Sequence, residues 1–419
     1  MKNTDYFKGK RVLVIGFGRS GLSSANLLSE LGSQVKVTDS QDNPVTRQNL
    51  KRLNSKDIKV ELGRHSREFL SGIELIVVSP GVANDALPLL WGKEAKIPVI
   101  GEIELAWKLC PAQIIAITGT CGKTTVTTLI GRLIEAWGKK VFTCGNIGNP
   151  FTQEVGKMQE GDFVSLEVSS FQLEGIEGFK PKISLILNLS RNHLDRYNGM
   201  QDYIGAKERI FKNQGPSDYL VLNYDDEAVR NLNSKACAKI VYFKKEEGLN
   251  PNESAVLRVA EILEIDKRLA MDTLANFKGV EHRMEEVLSL RGVRFINDSK
   301  STTTEATVWA LNNLNCPVIL ISGGREKGND YSRVLDIARR KVKNLVLIGE
   351  ASDRIYSVFS GSINISRADS LKDAVVKAFT LSKKGDCVLF SPMCKSFDMF
   401  ANYEERGKSF KALVGELKS

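Results

Sequence analysis

Residues 114–126 read IIAITGTCGKTTV: a short β-branched run, a glycine turn, a Lys-Thr-Thr triplet and the apolar start of a helix. A strand that ends in glycines and reopens as a helix is the βα unit of a parallel sheet. Gly119 and Gly122, with Thr120 and Cys121 between them, let the backbone close around phosphate oxygens. The helix N-terminus adds oriented N–H groups and partial positive charge. Lys123 suits the β- and γ-phosphates, the Thr124 hydroxyl suits Mg²⁺, and Thr125 completes the loop. The loop is shorter than the usual GxxxxGK[ST] window, yet its context makes ATP the expected ligand.

The same grammar recurs on both sides. Apolar runs lie at 11–15 (RVLVI), 75–79 (LIVVS), 163–169 (FVSLEVS), 183–189 (ISLILNL), 293–298 (VRFIND), 318–322 (VILIS), 345–349 (LVLIG) and 387–391 (CVLFS). Continuous apolar strands separated by amphipathic helices indicate parallel sheets covered on both faces. At roughly 150 residues per domain, 419 residues suggest three. The pattern restarts after a Pro-bounded helix at 98–110 and again around 279–285. The expected architecture is therefore α/β, with doubly wound domains at 1–110, 111–281 and 282–419.

A net charge of +9 and a pI near 9.0 suit anionic partners. No dense Lys/Arg block or basic stripe with interleaved aromatics accompanies them, so small anionic substrates are expected rather than nucleic acid. The seven cysteines are scattered and form no C-x-x-C pair. That argues against a disulfide framework or zinc site and fits a reducing compartment. The N-terminal MKNTDYFKGK is polar, and the longest apolar runs are strand-length. A cytoplasmic monomer without membrane attachment is expected.

The first strand ends in the G-x-G-x-x-G fingerprint GFGRSG (16–21), and Asp39 ends the next. Alone this predicts NAD, but the geometry needs only a diphosphate at a helix N-terminus, which a UDP conjugate also supplies. A nicotinamide oxidoreductase would leave ITGTCGKTT unexplained, and a P-loop ATPase of other function would leave the first fingerprint unexplained. Glu167 and His193 lie at or near C-terminal strand ends, where open α/β sheets place ligands. Downstream of a phosphate loop they become metal-ligand candidates, and Lys207 follows on a helical stretch. His65, in GRHSRE, reads as solvated surface. Three polar clusters each follow a strand near the C-terminus: NDSKSTT (297–303), GGREK (323–327) and SPMCKSFD (391–398). They are expected to converge on one crevice suited to an amino acid with two carboxylates.

These motifs, in this order, resemble the Mur ligase family: GFGRSGLS, SPGV, GEIELA, ITGTCGKTTVTTLI, GNIGNP, EVSSFQLE, NHLDRY, AKERIF, HRME, NDSKST, GGREKG and SPMCKSFDMF. The resemblance spans essentially the whole chain, and EVSSFQLE with SPMCKSFD points to the branch that adds D-glutamate, a sibling adding another amino acid being the alternative. It implies a UDP-binding domain, a central ATPase domain and a C-terminal domain that closes with the amino acid. The implied reaction joins D-glutamate to UDP-N-acetylmuramoyl-L-alanine through an acyl phosphate, with ATP and two Mg²⁺ ions. Lys123, Glu167, His193 and Lys207 would be the catalytic set. Thr124 and Glu167 match the first metal site, and His193 with a carbamylated Lys207 the second. Ser20, Gly21, Asp39 and Ser40 match the UDP site, and Asn146, Ser169, Ser170 and Gln172 the muramoyl pocket. Arg283 and Asp298 fall at nucleotide-contacting positions; Lys300, Thr302, Lys327, Ser396, Phe397 and Tyr403 at D-glutamate positions. Cys121 replaces a usual Asn, Asn192 a common acid and Tyr403 a usual Phe. Between Val241 and Phe277 the family has a longer stretch with a GxHNxxN-like motif near the adenine, where this chain has only GLNPNES (248–254).

Overall fold

The computed structural model describes residues 1–190, 196–326 and 328–417. The chain forms two compact units, Met1–Phe277 and Lys278–Ser419. The first unit holds two wholly parallel sheets. One has the strand order Lys59–Leu62, Gln34–Asp39, Arg11–Ile15, Leu75–Val78, Val99–Gly101. The other runs Lys239–Phe243, Tyr219–Asn223, Ile183–Ile186, Gln113–Thr118, Phe163–Glu167, Val141–Gly145. The second unit has one sheet, ordered Glu285–Leu290, Val293–Asn297, Cys387–Phe390, Val318–Gly323, Val342–Ile348, Asn364–Arg367. Its first strand is antiparallel to its neighbour, and the rest are parallel. The central strands are buried along their length, which is why they read as unbroken apolar runs. The strands at 163 and 183 end at Glu167 and Ile186, sooner than the sequence pattern suggests, because the chain turns there into the site loops.

Two sheets form one unit because the helix Glu102–Leu109 is fastened to the central sheet by buried carboxylates. Glu102 accepts the Thr152 N–H at 2.7 Å, and the Thr152 hydroxyl lies 2.9 Å from the same oxygen and 2.8 Å from Ser23 Oγ. Glu104, fully buried, accepts the N–H groups of Glu177, Gly178 and Phe179 at 2.9–3.1 Å and pairs with Lys108. Hydrogen bonds offset the cost of burying a carboxylate, so these bonds fix the joint; Glu104 is met at both oxygens, whereas Glu102 is met only at Oε1 among the described residues, and burial raises its pKa. Gly101 and Gly175 meet backbone to backbone, the Gly101 N–H donating to the Gly175 carbonyl at 2.6 Å. A Cβ on Gly175 would fall 2.8 Å from the Gly101 Cα.

Candidate active site

Gly119 (φ 153°) and Gly122 (φ 82°) adopt backbone conformations that L side chains avoid, which shapes the turn between the strand Gln113–Thr118 and the helix Lys123–Ala136. The turn is clamped from the loop after the neighbouring strand Ile183–Ile186 by Asn188, a residue no motif singled out. Its carbonyl accepts the Thr120 N–H at 2.9 Å, its side-chain oxygen accepts the Cys121 N–H at 2.8 Å, and its amide donates to the Cys121 carbonyl at 3.1 Å. The Thr120 hydroxyl accepts the Ser190 N–H at 3.0 Å and lies 3.1 Å from the Tyr203 phenol, whose pKa burial pushes up to about 12. Thr124 is buried on the first helical turn, and Thr125 beside it is half-buried.

Two lysines converge on one carbonyl. Lys123 Nζ donates to the Gly119 and Thr120 carbonyls at 2.8 and 3.0 Å. Lys207 Nζ, on the helix Met200–Glu208, donates to the Gly119 carbonyl at 2.9 Å and the Thr118 hydroxyl at 3.2 Å. Lys207 is 1% exposed. Burial drives its pKa well below the usual lysine range; the Lys123 charge adds to this, and Glu167 opposes it.

Glu167 lies opposite Ile117 in the sheet register, one strand from the glycine turn at 119–122. It is 1% exposed; Oε1 accepts the Asn146 amide at 2.8 Å, and Oε2 has no hydrogen-bond partner among the described residues. An orphaned buried carboxylate oxygen fits a divalent cation, so the residues present suit Mg²⁺. His193 and Asn192 lie outside the described residues, and among the described residues no group of three His, Cys, Asp or Glu side chains forms a metal cluster.

At the other end of this unit, a Cβ on Gly21 would fall 1.8 Å from the Gly16 carbonyl oxygen, so only glycine lets the helix Arg19–Glu30 pack on the turn. Ser20 is half-buried there and Ser40 is exposed. Asp39 accepts the Phe17 N–H at 2.6 Å and the Gln41 N–H at 2.8 Å, so it shapes the glycine turn itself. The Arg19 guanidinium donates to the Gly148 carbonyl at 2.6 Å, joining the glycine turn to GNIGNP. Ser169 and Gln172 cap each other at the start of the helix Ser170–Glu174, and Ser170 is buried next to them. His65 departs from its expectation: it is half-buried, with Nδ1 2.7 Å from the Thr38 hydroxyl.

In the second unit, the polar clusters leave three adjacent parallel strands. The Met393 N–H donates to the Ser301 carbonyl at 3.0 Å and the Arg325 N–H to the Lys395 carbonyl at 2.8 Å. Ser396 is buried, Thr302 half-buried and Phe397 49% exposed; Lys300 Nζ lies 5.7 Å from the Tyr403 ring centroid, and Lys327 is outside the described residues. Asp298 is buried and accepts the Ser391 hydroxyl at 2.9 Å; burial raises its pKa to about 6 against the pull of Ser301 and Arg283. Arg283 lies 5.9 Å from the Trp309 ring. Behind these loops stands Arg406, also unsignalled by motif and fully buried. It donates to the Ser299 hydroxyl and carbonyl at 3.1 and 2.8 Å and to the Cys394 carbonyl at 3.1 Å.

Three parallel-rich sheets, two of them in one unit and each of those two carrying a glycine turn that opens a helix, define an α/β protein of the kind that nucleotide-dependent ligases use, and comparison with known proteins identifies the class. The Mur ligase MurD-like N-terminal domain matches residues 10–101, the Mur ligase middle domain 117–285, and the Mur ligase glutamate ligase domain 282–394. The chain belongs to the Mur ligase family. It is 39% identical to the UDP-N-acetylmuramoylalanine–D-glutamate ligase of Thermoanaerobacter pseudethanolicus, over 98% of this chain and 99% of that protein. It is 40% identical to the ligase of the same name from Geotalea uraniireducens, over 97% and 98%. The first alignment spans 452 positions against 419 residues, leaving at least 33 positions of the relative without a counterpart here. Among solved structures, UDP-N-acetylmuramate–alanine ligase MurC of Thermotoga maritima matches with a TM-score of 0.62 at 17% identity, covering 97% of this chain and 99% of that one. MurF ligase of the same organism, in complex with ADP, matches at 0.60 and 16%, covering 100% and 98%.

Proposed function

We propose that this chain joins D-glutamate to UDP-N-acetylmuramoyl-L-alanine in an ATP-dependent reaction through an acyl phosphate, as a cytoplasmic step of peptidoglycan precursor synthesis. The observation that carries this is the likeness, at 38–40% identity and nearly end to end, to proteins all named for that ligation. No helix among the described residues is long and apolar enough to cross a membrane, which is compatible with the compartment. We assign the substrate domain to 1–110, the ATPase domain to 111–281 and the amino-acid domain to 282–419.

The chemistry requires a carboxylate to approach a triphosphate, two anions that repel unless cations lie between them. The loop of Gly119–Thr125 would take the phosphates on its N–H groups, with Lys123 moving from its loop carbonyls onto them. The likeness to a ligase solved with ADP supports a nucleotide there. Thr124 and Glu167 would hold one Mg²⁺, and His193 with Lys207 as its carbamate a second; bound there, the ions would screen phosphate charge. A lysine driven toward its neutral amine can add CO₂, exchanging a cation that repels a metal for an oxygen ligand. Ser20, Gly21, Asp39 and Ser40 are assigned to the UDP group, and Asn146, Ser169, Ser170 and Gln172 to the muramoyl group. Arg283 and Asp298 are assigned to the nucleotide, and Lys300, Thr302, Lys327, Ser396, Phe397 and Tyr403 to D-glutamate. The substrates are small molecules, and a monomer suffices for the reaction.

The test is phosphate release from ATP with UDP-N-acetylmuramoyl-L-alanine, scanning amino acids. Release that depends on D-glutamate is expected. Release with another amino acid and none with D-glutamate would move the assignment to a sibling ligase.

A further inference from the structure

Glu174, the last residue of the helix Ser170–Glu174, gathers donors from two other parts of the first unit. Its Oε1 accepts the Tyr197 phenol at 2.5 Å. Its Oε2 accepts the Arg196 guanidinium at 2.8 Å and the Asn84 amide at 3.2 Å. Arg196 continues the chain of contacts: its other nitrogen donates to the Pro80 carbonyl at 3.3 Å, and its guanidinium lies 4.3 Å from the Phe171 ring centroid. Phe171 stacks in turn on Tyr197, with the rings 5.9 Å apart. The Ser170 hydroxyl bonds the same phenol. Both oxygens of Glu174 accept here, so an amide in its place would turn an NH₂ toward at least one of these donors.

What this carboxylate joins gives it a role beyond packing. Residues 79–84 follow the strand Leu75–Val78 of the first sheet and pack against the glycine turn. Ser79 Oγ donates to the Gly16 carbonyl at 3.0 Å, and Val82 stands 2.8 Å from where a Cβ of Gly16 would be. One end of the Glu174 network therefore rests on the turn assigned above to the UDP group. The other end is the short helix carrying Ser170 and Gln172, assigned to the muramoyl group.

We propose that Glu174 is a positioning residue for the sugar-nucleotide substrate: by holding Asn84, Arg196 and Tyr197 together it fixes the spacing between the glycine turn and the helix Ser170–Glu174, and so sets the length of substrate the two can grip. This rests on the ligase reading for the identity of that substrate. In Glu174→Gln the side chain keeps its shape, but an NH₂ faces donors and the Arg196 charge loses its partner. A charge-assisted bond lost at a partly buried site corresponds to a loss of about tenfold in affinity or more.

The test is calorimetric binding of UDP-N-acetylmuramoyl-L-alanine and, separately, of ATP to the full chain and to Glu174→Gln, Arg196→Gln and the double variant. The expected result is a Kd for the sugar nucleotide raised about tenfold in each single variant and less than additively further in the double, because both break the same Glu174–Arg196 pair. The Kd for ATP should stay within about twofold of the unsubstituted chain. Equal sugar-nucleotide binding by Glu174→Gln and the unsubstituted chain would overturn this inference alone, as would additive effects in the double variant or a parallel loss of ATP affinity. Absence of binding by the unsubstituted chain would overturn the ligase reading and this inference with it. Should Glu174→Gln not fold, Asn84→Ala removes only the donor from the 79–84 loop; it is expected to weaken sugar-nucleotide binding about threefold, and an unchanged Kd would overturn the inference.

Discussion

Two long cationic side chains are buried in this protein without an ion pair among the described residues: Lys207 in the first unit, 1% exposed, and Arg406 in the second, 0% exposed. Both donate to backbone carbonyls of the loops they stand behind, Lys207 to Gly119 and Arg406 to Ser299 and Cys394. Burial lowers the pKa of each, but from different starting points. Arg406 falls only to about 10 and stays a cation at neutral pH, whereas Lys207 is driven well below the usual lysine range. The arginine is a fixed clamp. The lysine differs in that burial and the nearby Lys123 charge both disfavour its cationic form.

The largest expected effects test whether charge at the phosphate loop is what matters. Lys123→Ala should lower turnover by roughly 10²–10³-fold with the fold intact, because a cation is missing where phosphate charge develops. Added carboxylic acids should not restore it. On the proposed carbamate role, Lys207→Ala should lose at least about 10–100-fold, the loss typical of even the outer-shell partners of a metal, and regain rate when short carboxylic acids are added. A Lys207→Ala enzyme with full rate and no additive would remove Lys207 from the active machinery.

Substitution to methionine sharpens the contrast through stability. Arg406→Met leaves the Ser299 and Cys394 carbonyls without their buried donor and should destabilise by about 2–4 kcal/mol, read as a lower midpoint in chemical unfolding. Lys207→Met removes a buried, poorly solvated amine and should be neutral or stabilising by about 1 kcal/mol. Equal destabilisation by both would mean the two cations play the same structural part.

Asp298 provides a pH signature in the second unit. Its pKa is raised to about 6 from an unfolded value near 3.8, so between these values the native state binds more protons than the unfolded one. Stability contributed by this site therefore falls as pH rises from about 4 to about 6, by on the order of 2–3 kcal/mol, and the loss is complete above that window. Asp298→Asn should flatten this part of the stability–pH curve. An unchanged slope would assign the fall to other groups.

The glycine turns and apolar runs were legible in the sequence because they are local: Gly21 faces Gly16 five residues away, and the Lys-Thr-Thr triplet adjoins its own strand. The clamps were not. Asn188 meets Cys121 across 67 residues, Arg406 meets Ser299 across 107, and Glu104 meets Phe179 across 75. Nothing in their neighbours signals a partner so distant. Asp39, Ser169 and Gln172 show the opposite difficulty. Motif position assigns them to a ligand, while the structure also gives each a backbone or side-chain bond that shapes a turn or caps a helix.

The proposed second metal site requires Lys207 to be a buried amine able to take up CO₂. Carbon-13 NMR of the full chain equilibrated with ¹³C-bicarbonate reads this directly. A lysine carbamate resonance present in the unsubstituted protein and absent from Lys207→Met is the expected result. No such resonance, or one that persists unchanged in Lys207→Met, would contradict it.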